Sequence, residues 1–210
     1  ALSADGVTIL PYDDIYEYVK TFTKDMKVLL CKKKANCRLV NNIPEEVTIL
    51  DEENLTFLPK AIKNPVEVEN ERIAHIKDGV ALTKFIYWLK KNAGNIPMTE
   101  LSAEEKLYSF RAQQENFIGN SFDPIISYGV HAAINHYSAT PETDISIEPG
   151  NFLLADTGGH YYEGTTDTTR TVAIGSVNDE QKKYFTAVLR GMLNLGNAKF
   201  RHGCTGVNLD

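Results

Sequence analysis

Two carboxylates stand inside apolar sequence near the end of the chain, in the stretch FLLADTGGHYYEGTTDTTRTVAIG, residues 152–175. Asp156 closes an apolar run, and Asp167 lies in a Thr-rich run that continues into Val172, Ala173 and Ile174. Read as antiparallel strands over 152–156 and 165–174, joined by a loop centred on Gly158, Gly159 and Gly164, the stretch is a hairpin. Residues directly opposite on one face of such a hairpin have Cβ atoms about 4.5–5.5 Å apart. If Asp156 and Asp167 are such a pair, their like charges converge and need a shared proton, an arginine or a metal ion to neutralise them. Oxygen-only ligands suit hard divalent ions such as Mn2+ or Mg2+, and bridging carboxylates suit two ions about 3.5–4 Å apart. The same acids have plainer uses. Asp before Gly starts turns, Asp among threonines faces water, and Arg170 offers Asp167 a structural ion pair. Spacing leaves these readings open.

His136 lies in AAINHYSATPE, after an apolar segment and before Pro141. A histidine there serves either as a hydrogen-bonded turn residue or as a catalyst. His131 falls on the opposite side by strand parity, so the two do not obviously cooperate. His160, in the Gly-rich loop, is expected to point away from Asp156, and His75 and His202 read as structural. No Ser-His-Asp or Cys-His arrangement suggests itself. Nor does a glycine-rich loop lead from a strand into a helix, as phosphate binding requires.

The elements that must position these residues fall into two groups. Over the first sixty or so residues, strand signals at 7–10, 28–31 and 47–50 alternate with a helical stripe of Tyr12, Ile15, Tyr16, Val19 and Phe22, which suggests a small α/β layer. Pro65 disfavours helix at Asn64 and marks a domain boundary. Beyond it Ile73, Ile76, Val80, Phe85, Ile86 and Leu89 keep a helical period. Ser102 to Glu105 is a capping-box pattern that opens a second helix through Leu107, Phe110, Gln114 and Phe117. Asn178 with Gln181 opens a third, with Tyr184, Phe185, Val188, Leu189, Met192 and Leu195 as its buried stripe. Between these helices lie β-like segments at 124–128, 132–137, 152–156 and 168–174. Helices followed by strands point to an α+β fold with an antiparallel sheet backed by helices.

Composition sets the outer bounds. The chain has 210 residues, 42% apolar and 24% charged, with a net charge of −6. That is long enough for a real core, has ordinary globular composition and argues against nucleic acid as the main partner. Lys32, Lys33 and Lys34 form too short a run for a polybasic binding segment and read as a solvated edge. Cys31, Cys37 and Cys204 have neither the count nor the spacing of a disulfide framework or zinc knuckle, which fits a reducing, cytoplasmic compartment. No stretch approaches bilayer-spanning length, so no membrane partner is expected.

The segments RAQQENFIGNSFDPIISYG, AAINHYSATPET and LLADTGGHYYEGTTDTTRTVAIG, in this order and spacing, resemble the aminopeptidase P (Xaa-Pro aminopeptidase) branch of the pita-bread metallopeptidases. ENERIAHIKDGVALTKFIYWLKK resembles the first helix of that catalytic domain, and DGVTILPYDDIYEYV the end of the domain before it in the long, three-domain form. The pattern D-x-G-x(4)-G-T-T-D-x-T-R, Asp156 to Arg170, carries most of the specificity. The resemblance implies residues 1–64 as the C-terminal part of a creatinase N-terminal-like α/β domain. It implies residues 65–210 as the first half of the pita-bread catalytic domain.

It further implies a dinuclear site, usually manganese, whose ligands are Asp, Asp, His, Glu and Glu. A metal-activated water attacks the carbonyl of the bond preceding a penultimate proline. Asp156 and Asp167 match the first two ligands, and His136 the histidine that contacts substrate and stabilises the tetrahedral intermediate. The implied substrate is a peptide with proline second, and the implied assembly of the complete protein a homodimer. The family's remaining ligands are expected beyond Asp210, so the chain reads as an internal piece with little activity alone. Where relatives commonly read G-P-N-G, this chain has Gly129, Val130, His131 and Ala132. Alternatives are a prolidase-type dipeptidase, a metal-free creatinase, against which both aspartates speak, and a non-catalytic pita-bread module that binds proteins.

Overall fold

A computed structural model describes residues 2–209 of the chain, which divides into compact units at 1–64 and 65–210. In the first unit, 3-10 turns at Tyr12–Asp14 and Val19–Thr21 flank helix α1 (Ile15–Tyr18). Strand β1 (Lys27–Leu29), α2 (Cys37–Asn42), β2 (Thr48–Leu50) and α3 (Phe57–Ala61) follow. β1 and β2 pair in parallel, Val28 opposite Ile49. Asn36 caps α2, its side chain accepting from the Leu39 N–H at 2.8 Å, which satisfies one of the helix's orphan donors. The core is small: Val19, Ile43 and Val47, with Phe22, Val28, Leu30, Leu39 and Ile49 around them. Residues 7–10 form no strand and are exposed, and of the Tyr12 to Phe22 stripe only Val19 is buried. Of the basic triplet, Lys34 pairs with Glu53 at 2.7 Å and lies over the Phe57 ring.

The second unit opens with α4 (Pro65–Asn92) and α5 (Glu100–Arg111), then β3 (Phe117–Asn120) and β4 (Ile125–Tyr128). After a 3-10 turn at Gly129–Ala133 come β5 (Asn151–Thr157), β6 (Gly159–Tyr161), β7 (Thr168–Ile174) and α6 (Asp179–Gly196). β4, β5 and β7 form an antiparallel three-stranded sheet with β5 central, and β3 pairs separately with β6. Side chains alternate between the two faces of a strand. One face sends Ile126, Leu153, Ala155, Val172 and Ile174 into the core, against Leu82, Phe85 and Leu89 of α4 and Ala103 and Leu107 of α5. Each buried Val, Leu, Ile or Phe side chain among them contributes roughly 1.5–3 kcal/mol. The opposite face carries Ile125, Ser127, Leu154, Asp156 and Thr169. The result is an α+β fold with α4 and α5 on one face of the sheet, and with Asp156, Ser127 and Thr169 on the other, beside the start of α6 at Phe152. Among the described residues no helix is long and apolar enough to cross a membrane.

The sequence reading needs five corrections here. The inner face of α4 is Ala74, Asp78, Ala81, Leu82, Phe85 and Leu89, while Ile76 and Val80 are exposed. The cap of α5 is Thr99, which exchanges hydrogen bonds with Ser102 as a reciprocal box; Ser102 is the last residue of that box, the third of the helix, rather than its first. α5 ends at Arg111, and Phe117 belongs to β3. Residues 132–137 are not a strand: the 3-10 turn Gly129–Ala133 takes in the first two, and His136 (φ 57°) is left-handed, outside the β region. The Asn178–Gln181 box does open α6, but none of the stripe expected on it is buried. α6 touches the sheet at its start, where Phe185 stacks on Phe152 and Gln181 Nε2 donates to Asn151 Oδ1 at 3.1 Å.

Candidate functional site

Asp156 sits near the end of β5, cross-strand from Ile125 on one side and Thr169 on the other. The Thr169 hydroxyl donates to Asp156 Oδ1 at 2.8 Å. The direct partner of Asp156 is therefore Thr169, not Asp167. Asp167 precedes β7 by one residue, is exposed, and by alternation continues the Thr169 side of the sheet. The two acids are thus diagonal neighbours on one face rather than an opposed pair. The ten residues between them contain a strand of their own, β6, which leaves the hairpin to pair with β3.

That excursion is tied down residue by residue. The Thr165 N–H donates to Glu71 Oε2 at 3.1 Å, and the Gly159 N–H to Thr166 Oγ1 at 2.9 Å. Lys77 Nζ and Asn116 Nδ2 both donate to Glu163 Oε1, at 2.6 and 2.8 Å. A Cβ on Gly158 would stand 2.0 Å from the Thr166 carbonyl oxygen and 2.2 Å from Ser121 Oγ. No side chain fits there, so the glycine lets the two limbs approach. His160 Nδ1 lies 2.9 Å from Thr165 Oγ1 and makes no bond with Asp156.

Under this loop lies a buried charged group that periodicity did not reveal. Arg111 bonds Asp78 through Nε at 2.7 Å and Nη2 at 3.2 Å, and Nη2 also reaches Thr157 Oγ1 at 3.0 Å. The Tyr161 hydroxyl donates to Asp78 Oδ1 at 3.1 Å. Burial and the neighbouring Asp78 carboxylate push the Tyr161 phenol well above its ordinary range, so it stays a donor. Helices α4 and α5 thereby hold the residue after Asp156.

His136 is exposed, in the loop that leaves β4, and shares a cavity of about 290 Å³ with Asp156, Ser127, Leu154 and Thr169. Its loop is anchored from below by Glu100, fully buried, which accepts from the Tyr128 N–H at 2.7 Å and the Tyr137 hydroxyl at 2.9 Å. His131 Nδ1 lies 3.0 Å from both Glu100 oxygens, and its ring packs on Tyr137 with centroids 4.4 Å apart. His131 thus supports the loop carrying His136, contrary to the parity argument, because the strand on which parity was counted does not form. Nothing in the spacing of Glu100, His131 and Tyr137 announced this cluster. Ser127, on the cavity floor, is 1% exposed and its Oγ has no partner among the described residues; an unmet buried hydroxyl costs roughly 1–3 kcal/mol.

As a metal site the donor set fits in kind but not in number. Two carboxylates on one open face suit a hard divalent cation. Among the described residues, however, no group of three or more His, Cys, Asp or Glu side chains could hold an ion. The chain supplies part of a ligand set.

Residues 69–210 match metallopeptidase family M24, and residues 1–67 match the creatinase/prolidase N-terminal domain. The chain belongs to the M24 metallopeptidases. Its M24 relatives include a probable Xaa-Pro aminopeptidase P of Paracoccidioides lutzii, 36% identical over 220 residues, covering 98% of this chain and 36% of the relative. A counterpart in Coccidioides posadasii is 35% identical, over 98% of this chain and 35% of its own length. Among solved M24 structures, the X-prolyl aminopeptidase from Caenorhabditis elegans, a cytosolic enzyme with a di-nuclear active site, superposes with a TM-score of 0.88. It is 30% identical and covers all of this chain and 35% of its own. Prolidase from Pyrococcus furiosus, at 23% identity and a TM-score of 0.67, shares the fold. The chain spans about a third of the length of the curated M24 relatives it matches. Its α+β architecture is that of the pita-bread fold, preceded by a creatinase-type N-terminal unit.

Proposed function

We propose that the protein to which this chain belongs is a metal-dependent aminopeptidase that hydrolyses the bond between an N-terminal residue and a following proline. The observation that carries the reading is the shared cavity of Asp156 and His136 on the open sheet face, in an M24 chain similar to X-prolyl aminopeptidases. We assign residues 1–64 to the preceding domain and 65–210 to the first half of the catalytic domain. Asp156 and Asp167 would hold two divalent ions, Mn2+ by preference, with the rest of the donor set coming from elsewhere in the fold. Bound there, the ions would lower the pKa of a coordinated water and polarise the scissile carbonyl.

The chain's own residues do the rest. The Thr169 hydroxyl orients Asp156 by occupying one of its carboxylate oxygens. His136 offers a ring N–H to the carbonyl oxygen on which negative charge develops. Its left-handed backbone, braced through Tyr137 by Glu100, turns the residue out of the sheet edge and into the cavity loop. The substrate is a peptide with proline second, and by likeness to the C. elegans enzyme, a cytosolic one, we place the protein in the cytosol; we further propose that the complete protein is a homodimer.

The test is hydrolysis of Xaa-Pro peptides by the whole protein, with and without added Mn2+ and a chelator. Metal-dependent release of the first residue supports the reading; its absence with metal bound overturns it. The 210-residue chain alone should show little turnover, because its described residues hold no complete ligand set.

A further inference from the structure

Arg111 of α5 and Asp78 of α4 are both buried. Stability alone does not call for them, because well-packed apolar residues often replace a buried ion pair without loss. What apolar packing lacks is direction. A guanidinium presents its donors in a rigid fork, so each hydrogen bond on the pair fixes an angle as well as a distance. Two of these bonds land on the segment between the acids. Arg111 Nη2 donates to Thr157 Oγ1 at 3.0 Å, and the Tyr161 hydroxyl donates to Asp78 Oδ1 at 3.1 Å.

The two residues so held lie on either side of Gly159. Thr157 is fully buried on the core face of β5, and alternation along the strand then turns Asp156 to the open face. Thr166, also fully buried, stands one residue before Asp167. Its hydroxyl accepts from the Gly159 N–H at 2.9 Å, and its carbonyl accepts from Ser121 Oγ at 2.9 Å. Each acid therefore has a buried threonine as its chain neighbour, and both threonines belong to one frame. Thr157 is tied directly to Arg111, and Thr166 through Gly159, between the two held residues. We infer that Arg111 and Asp78 are positioning residues that set the separation and aim of Asp156 and Asp167, and so the affinity of the site for divalent cations. The step rests on reading the two acids as metal ligands.

The experiment is calorimetric titration of the metal-free whole protein with Mn2+, in wild type, Thr157→Val and Thr157→Ser. Valine keeps nearly the same shape and leaves the Asp78–Arg111 pair in place, but removes the hydroxyl that Arg111 holds. It should weaken Mn2+ binding by about tenfold, the lower end of what losing a support behind a metal ligand costs. Serine, which keeps the hydroxyl, should restore most of the affinity. Melting curves of the metal-free variants separate positioning from stability, since a purely structural tie lowers the melting temperature and leaves the Mn2+ affinity of the folded protein alone. Unchanged affinity in Thr157→Val, whatever its melting temperature, overturns the inference, and so does serine as weak as valine. Should Thr157→Val fail to fold, Tyr161→Phe keeps the ring against Phe117 and removes only the phenol donor. It carries the same titration, with weaker binding expected and unchanged binding decisive against. A wild type that binds no Mn2+ would instead sink the metal reading of Asp156 and Asp167, and the positioning role with it.

Discussion

Arg111 grips Asp78 through two hydrogen bonds, Nε to Oδ1 at 2.7 Å and Nη2 to Oδ2 at 3.2 Å, with side-chain exposures of 0% and 3%. The pair joins α5 to α4 and, through Thr157, both helices to the residue after Asp156. It couples the stability of the helical layer to the placement of a proposed metal ligand.

Removing one partner of a buried pair strands the other's charge. Asp78→Ala should therefore destabilise the chain by about 3–5 kcal/mol, read from urea unfolding midpoints. Joint replacement by Asp78→Leu and Arg111→Met should recover most of that loss, since no uncompensated charge remains. The Arg111 Nη1 atom already lacks a partner among the described residues. A single-variant loss below about 1 kcal/mol, the scale of an exposed pair, would contradict the burial seen.

The pH dependence of the loop between the two acids follows from Glu163. The Lys77 ammonium, and then the Asn116 amide, hold its carboxyl below the ordinary value of 4.5. A carboxyl whose folded value is lowered stabilises the fold above its unfolded value, and that contribution is lost as pH falls through the lowered one. The difference in melting temperature between wild type and Glu163→Gln should thus be present at neutral pH and shrink as pH falls below 4.5. A gap that persists or widens in acid would show that Glu163 anchors nothing by charge.

The three helices of the second unit were legible because apolar residues recur at their period and, for α6, because Asn178 and Gln181 form a true box; α2 and α3, of six and five residues, are too short to show a period. The inner face of α4 was not, because Ala74 and Ala81 carry little apolar signal and Asp78 reads as polar. Its burial makes sense only with Arg111, 33 positions away. The two acids were visible in the sequence, but their register was not, because β6 leaves the hairpin to pair with β3, a strand hidden behind the expected end of α5. Spacing showed that α6 is amphipathic without showing what lies against it: Val188, in the middle of its stripe, is 73% exposed.

The brace under His136 can be removed atom by atom. Tyr137→Phe deletes one donor to a fully buried carboxylate, which should cost about 1.5–3 kcal/mol. The loss should loosen the loop before the core. NMR signals of the His136 ring should move, while those of Leu82 and Leu107, in the helical layer, stay in place. Motion spread evenly across both sets would mean that Glu100 supports the whole unit rather than this loop.

The two aspartates admit a test that separates a metal site from a structural one. If Asp167 served an ion pair, its loss would weaken the metal-free protein. Asp156 and Asp167 instead share one sheet face, and among the described residues the only side-chain bond seen for either is the Thr169 hydroxyl on Asp156. Asp167→Asn should therefore leave the melting temperature of the metal-free chain unchanged or slightly raised, through relief of like charge. In the whole protein, Mn2+ should raise the melting temperature in proportion to its binding, as ligands of the native state do. The same substitution, or Asp156→Asn, should abolish that rise together with Xaa-Pro hydrolysis. A metal-free chain destabilised by Asp167→Asn, with the Mn2+ shift intact, would return Asp167 to a structural role and leave Asp156 without its proposed partner.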